Sequence, residues 1–161
     1  MHIKSLQDTY SPEGICFGCG PKNEKGLRIK SFAEDGQEFV TAEFMPKPHH
    51  QAFPGMVNGG IIGSLLDCHS NWTAAYALMR SQNADTPPCT VTADFHVKLR
   101  APTPSTQKIY LKARAIEVKE DRAKIEAELF TVNADGTQKL TATCLGTFVS
   151  VKPGHPAYHR W

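Results

Sequence analysis

The stretch NGGIIGSLLDCHSNWTAAYALMR, residues 58–80, decides the architecture. It runs without proline through Ile, Leu, Ala, Trp, Tyr and Met, which is long enough for a helix and too long for a strand. Asn58 suits its N-cap, because an Asn side-chain oxygen can accept from a backbone N–H of the first turn that has no partner within the helix. The segment is apolar on nearly every side, with Asp67 as its one ionised residue between Gly59 and Met79, so it is expected to lie buried against a sheet.

Outward from this helix the pattern turns to strands. Upstream, the β-prone runs 27–32 and 38–44 flank Glu34-Asp35-Gly36 and form a hairpin, after a loop-like start rich in Pro and Gly. Residues 45–57 carry three prolines and the adjacent His49 and His50, and read as a loop. Downstream, Thr90, Thr92, Asp94, His96 and Lys98 alternate with Val91, Ala93, Phe95, Val97 and Leu99, the period of a strand. Residues 108–118, 123–132 and the run from Gly136 to Val151 supply three more, joined by tight turns. Six strands and one long helix imply an α+β fold, a curved antiparallel sheet wrapped round the helix, with the last four strands as a meander.

Length and composition set the bounds. The 161 residues, 40% hydrophobic and 21% charged, suit one globular domain over residues 1–161 with a short irregular leader. A net charge of +2 without a Lys/Arg run gives no reason to expect nucleic acid or an anionic membrane as partner. The N-terminus lacks the apolar stretch of a signal peptide, and no segment has the pattern of a lipid-spanning helix, so a cytoplasmic protein is expected. Five cysteines in such a chain read as free thiols. Cys16-Phe17-Gly18-Cys19 is a single CxxC with no second pair, and its glycines suit a tight turn; no metal or cofactor is expected.

Asp67 is the leading chemical candidate, since a buried carboxylate is costly unless paired or used. At helical spacing it shares a stripe with Gly60, Gly63, Ser64, Ser70 and Asn71, small or polar residues that let a ligand or a partner backbone approach. The equal alternative is a satisfied core acid at a subunit contact. Asn58-Gly59-Gly60 opens the helix nine residues earlier, where free N–H groups and the helix dipole could receive a carbonyl oxygen. One such oxyanion donor contributes roughly a hundred- to a thousandfold to rate. A tight loop-to-helix turn would need the same glycines. His69 falls on the apolar face, as a core histidine would.

The run FPGMVNGGIIGSLLDCHSNWTA resembles the signature of hotdog-fold thioesterases of the PaaI-like group, and CFGCGPKNEKGLRIK is similar to the leader of a subset of that group. With TVTADFHVKLRAP after the helix, the resemblance spans almost the whole chain. It implies a hotdog fold and an acyl-CoA thioesterase, with Asp67 as general base or nucleophile and the Gly59 amide polarising the thioester carbonyl. It further implies a Ser or Thr on the strand after the helix, contributed across a dimer, and Thr92 stands at that position. Asn58 stands where the group usually has His, and can position but not transfer protons. Gln51 matches a polar amide of the preceding loop. Gly60, Gln51, Asn71, Lys98 and Arg100 are the candidate substrate contacts, the last two for CoA phosphates. The resemblance also implies a homodimer or a homotetramer built as a dimer of dimers. Two other readings are an acyl-CoA-binding hotdog protein without catalysis, which Asn58 would suit, and a hotdog dehydratase. For the dehydratase, Phe53-Pro54-Gly55 matches a known loop, but Ala52 stands where a His is needed.

Overall fold

The computed structural model describes residues 3–159. In chain order the elements are α1 (Leu6–Tyr10), β1 (Lys30–Phe32), β2 (Val40–Phe44), β3 (Gln51–Phe53), β4 (Met56–Val57), α2 (Gly59–Ser81), β5 (Thr90–Leu99), β6 (Ile109–Val118), β7 (Arg122–Val132) and β8 (Gln138–Ser150). Six strands form one antiparallel sheet in the order β1-β2-β6-β7-β8-β5, curved round α2, while β3 and β4 make a separate small hairpin. Alternation along β2 and β7 puts Val40, Ala42 and Phe44, then Ala123, Ile125, Ala127 and Leu129, on the inner face. There they meet Leu65, Leu66, Trp72 and Leu78 of α2, all at most 2% exposed. Each such side chain contributes about 1.5–3 kcal/mol by leaving water.

Three expectations need correction. The last four strands are not a meander: β5 pairs with β8 at the far edge, and β6 returns beside β2. The chain leaves α2 on the side away from β2 and comes back through residues 100–108. That crossover is held by Val57 N–H donating to Thr103 O and Ser105 N–H donating to Gly55 O. Second, residues 45–57 are not all loop, since a 3₁₀ turn at Pro48–His50 and the β3–β4 hairpin lie within them. Third, the leader contains α1. Its cap, Ser5 Oγ accepting from Asp8 N–H at 3.1 Å, is the S-x-x-D signal that could have found it.

His69 shows how the elements are tied. It is fully buried, and its Nε2 lies 3.1 Å from Val40 O while Nδ1 lies 2.9 Å from Ser31 Oγ. Gln7 Nε2 donates to the same Ser31 Oγ, and Gln7 Oε1 accepts from Ser31 N–H. The chain of donors closes with a neutral ring protonated on Nε2, linking α1, β1, α2 and β2.

Candidate active site

The start of α2 is built by Asn58. Its Oδ1 accepts from Gly60 N–H at 2.8 Å and Ile61 N–H at 3.2 Å, and its own N–H donates to His50 O. Gly59 N–H has no acceptor among the described residues and stands at the positive end of the helix. A Cβ at Gly60 would come within 2.9 Å of the capping oxygen and disturb the cap, whereas one at Gly59 would stand 3.1 Å from Cδ1 at the flexible end of Leu99. Further along the same face Gly63 has nothing within 4 Å of where a Cβ would stand, so between Gly60 and Asp67 the stripe carries only the small Ser64 side chain, whose hydroxyl donates to Gly60 O.

Asp67 is half-buried on that stripe, and Thr92 Oγ1 donates to its Oδ1 at 2.7 Å. One turn on, Thr90 Oγ1 donates to Asn71 Oδ1 at 2.7 Å. The two pairs match because four helical residues rise about 6 Å and two strand residues about 6.7 Å. Thr92 reaches the acid of its own chain, which corrects the expectation that it crosses to a partner. The cause is a bulge between Thr92 and Asp94. Before it Thr90 and Thr92 face inward; after it Phe95, Val97 and Leu99 do, opposite Gly146, Cys144 and Ala142, while Asp94, His96 and Lys98 turn outward. Unbroken alternation would have set Thr92 and Asp94 on one face. The charge of Asp67 also acts on Cys144: burial first, then the carboxylate, push this thiol up to about 11, so it is inert.

The remaining candidates are placed elsewhere. Gln51 is occupied in the β3–β4 hairpin, with Oε1 accepting from Gly55 N–H at 2.6 Å and Nε2 donating to Pro48 O. Asn71 is buried and joins α2 to β5. Lys98 and Arg100 line a cavity of about 600 Å³ on the sheet face turned away from α2, together with His96, Lys112 and Arg114. They are not brought to Asp67 or Gly59 of the same chain. His50 packs on Phe44 and is held below the usual histidine range, by burial first and then by His49 and Lys47. Sequence reasoning missed the meeting of Cys68 with Cys16 and Cys19, whose sulfurs lie within 4.8 Å of one another. No spacing rule links residues so far apart in the chain.

A curved antiparallel sheet closed on one central helix, with a capped Gly-Gly entry and an acid at mid-helix, defines the hotdog class. No protein-family model matches the chain, and no curated protein matches it. Among solved structures, a thioesterase superfamily protein from Shewanella loihica PV-4 is 32% identical and covers 91% of this chain and 99% of its own, with a TM-score of 0.66. The PaaI protein of the Escherichia coli phenylacetic acid degradation operon is 16% identical over 78% of this chain and 81% of its own, at a TM-score of 0.61. An acyl-CoA hydrolase from Staphylococcus aureus, solved with butyryl coenzyme A, is 14% identical over 76% and 71% of the two chains, at 0.60; these two show the fold alone. The chain belongs to the thioesterase superfamily, with the hotdog fold, and thioester hydrolysis is the class of chemistry that goes with it. Among the described residues, no helix is long and apolar enough to cross a membrane.

Proposed function

We propose that this protein hydrolyses acyl-CoA thioesters to the free acid and CoA, in a site completed by a second copy of the chain. The observation that carries this reading is the Asp67 carboxylate, oriented by the Thr92 hydroxyl at 2.7 Å on a helix face of small residues that is open at Gly63. Asp67 takes a proton from water as the water oxygen attacks the thioester carbon. Gly59 N–H receives the oxyanion, the C–S bond breaks, and the CoA sulfur takes up a proton.

Geometry then asks for two chains. Gly59 and Asp67 are eight residues apart on one helix, about 12 Å along its axis, and a thioester carbon must lie about 3 Å from the attacking water and from the oxyanion donor's reach. Within one chain that span could be bridged only by a nearly fully extended line of donor, carbonyl, water and carboxylate, with no freedom left to align the attack. A partner relieves this constraint, because β5 is a ten-residue edge strand beside the site, exposed along most of its length and carrying Phe95 (41% exposed) and Leu99 (58%) on the inner face. Such an edge is a template for pairing. Pairing β5 with its copy would extend the sheet, cover these apolar side chains and bring the Gly59 end of one helix toward Asp67 of the other. The S. aureus hydrolase, which shares the fold, was solved with CoA and butyryl-CoA, which supports CoA as the carrier.

A second reading, acyl-CoA binding without turnover, draws on Asn58, whose side-chain oxygen is committed to the cap and transfers no proton. Release of free thiol from a panel of short, long and aromatic acyl-CoAs separates the two. Turnover of any member supports hydrolysis, whereas saturable binding with no thiol released across the panel sinks it.

A further inference from the structure

The N-terminal sequence Cys16-Phe17-Gly18-Cys19-Gly20 folds into a tight knuckle. Gly20 N–H donates to Cys16 O at 2.8 Å, and the returning segment is fastened by Leu27 N–H to Phe17 O at 2.7 Å and Ile29 N–H to Gly18 O at 3.0 Å. Both internal glycines are required by close approach. A Cβ at Gly18 would stand 2.3 Å from Cys68 Sγ, and one at Gly20 would stand 2.4 Å from Cys16 N. The knuckle therefore presses directly on helix α2, at Cys68.

Three sulfurs converge there. Cys16, Cys19 and Cys68 hold their Sγ atoms within 4.8 Å of one another, with Cys16 and Cys68 at 3.7 Å. A tetrahedral zinc site with Zn–S bonds of about 2.3 Å has S···S edges of about 3.8 Å. A donor already points at one of the sulfurs: Trp72 Nε1–H at Cys19 Sγ, 3.3 Å away. Hydrogen bonds of this kind stabilise metal-bound thiolate. Beside the cluster lies a cavity of about 240 Å³, lined by Cys16, Cys19, Trp72, Ser11 and Gly14, with room for a fourth ligand.

We propose that Cys16, Cys19 and Cys68 bind one Zn²⁺ ion per chain, with a water or an exogenous ligand from the adjoining cavity in the fourth position, and that this ion locks the N-terminal knuckle onto helix α2. Each thiol gives its proton to solvent as it ligates, so binding is coupled to proton release. A disulfide accounts for less: it joins two sulfurs at about 2.05 Å, leaves the third unexplained and requires an oxidant. The site is separate from the thioester chemistry, since Cys68 projects about 100° round the helix from Asp67.

The test uses the full chain, reduced and stripped of metal, titrated with Co²⁺ and then with Zn²⁺. The expected result is one Co²⁺ per chain, showing thiolate-to-metal charge transfer and the visible bands of a tetrahedral ion, displaced by one Zn²⁺. Cys16→Ser alters an exposed side chain and should weaken Zn²⁺ by about a hundredfold or more, beyond the loss that second-shell changes cause. Cys89→Ser should leave the affinity unchanged. Alkylation of the unmodified chain gives an independent readout, in which Zn²⁺ protects Cys16 and not Cys89. A reduced chain without the Co²⁺ spectrum overturns the proposal, as does equal affinity in Cys16→Ser or a Cys16–Cys68 disulfide in protein purified without oxidant.

Discussion

Thr92 and Asp67 meet because one extra residue in β5 changes which side chains face the helix. A hydroxyl bonded to a charged carboxylate contributes about 1.5–3 kcal/mol, and if it orients the base in the transition state its loss should appear in kcat. Thr92→Ala is expected to lower kcat about ten- to a hundredfold with little change in KM, and Thr92→Ser to restore most of it; equal kcat in all three proteins would remove Thr92 from the mechanism. Asp67→Asn keeps the size of the side chain and removes its basicity. It should cost about a hundred- to ten-thousandfold in kcat while circular dichroism and the thermal midpoint stay close to the parent's. At this scale the sequence marks the candidate residues plainly but not their geometry. Asp67, Asn58 and Gly59 stand out as a lone charge and a capped Gly pair on an apolar helix. The direction of Thr92 depends on a bulge, and a bulge in Thr-Ala-Asp leaves no mark because every residue there also fits a regular strand.

At the scale of elements, α2 was readable from end to end, since length, the absence of proline and an Asn cap all agree with the observed helix. The path of β5 was not, because strand order depends on where the chain emerges from the helix, and alternation carries no information on that. The His69 link between α2 and its neighbours predicts a pH dependence. Burial holds this ring down at about 4, against a backbone bond to Val40 that works the other way. The unfolded chain, with an ordinary histidine near 6.5, therefore binds more protons than the folded chain between about pH 6.5 and 4. Stability from this group is fully present above that window and is lost as the pH falls through it, by about 2 kcal/mol between pH 7 and pH 5. Urea unfolding at the two pH values checks this. His69→Gln should be less stable at pH 7 yet lose about 2 kcal/mol less on acidification, and an unchanged pH slope in that variant would place the acid sensitivity elsewhere.

For the whole molecule the deciding geometry is that Gly59 and Asp67, the proposed oxyanion donor and base, sit about 12 Å apart along one helix, while Thr92 bonds Asp67 within the same chain. That division predicts which inactive variants rescue one another. Gly59→Pro removes the N–H at a position where proline suits a helix start, and should lower kcat about a hundred- to a thousandfold. The added ring meets the flexible end of Leu99, so the helix should survive the change. In a mixed dimer of Gly59→Pro and Asp67→Asn chains, one site receives both altered groups and the other receives both native ones. In isolated mixed dimers one of the two sites is intact, so about half of parental activity is expected. Thr92→Ala mixed with Asp67→Asn gives the opposite result. Those two side chains come from one chain, so every site keeps one defect and no activity returns. Both mixtures are prepared by co-expression with two affinity tags, and mixed dimers are isolated before assay. Rescue in the Thr92 mixture, or none in the Gly59 mixture when mixed dimers are present, would show that the catalytic groups are divided between chains in some other way.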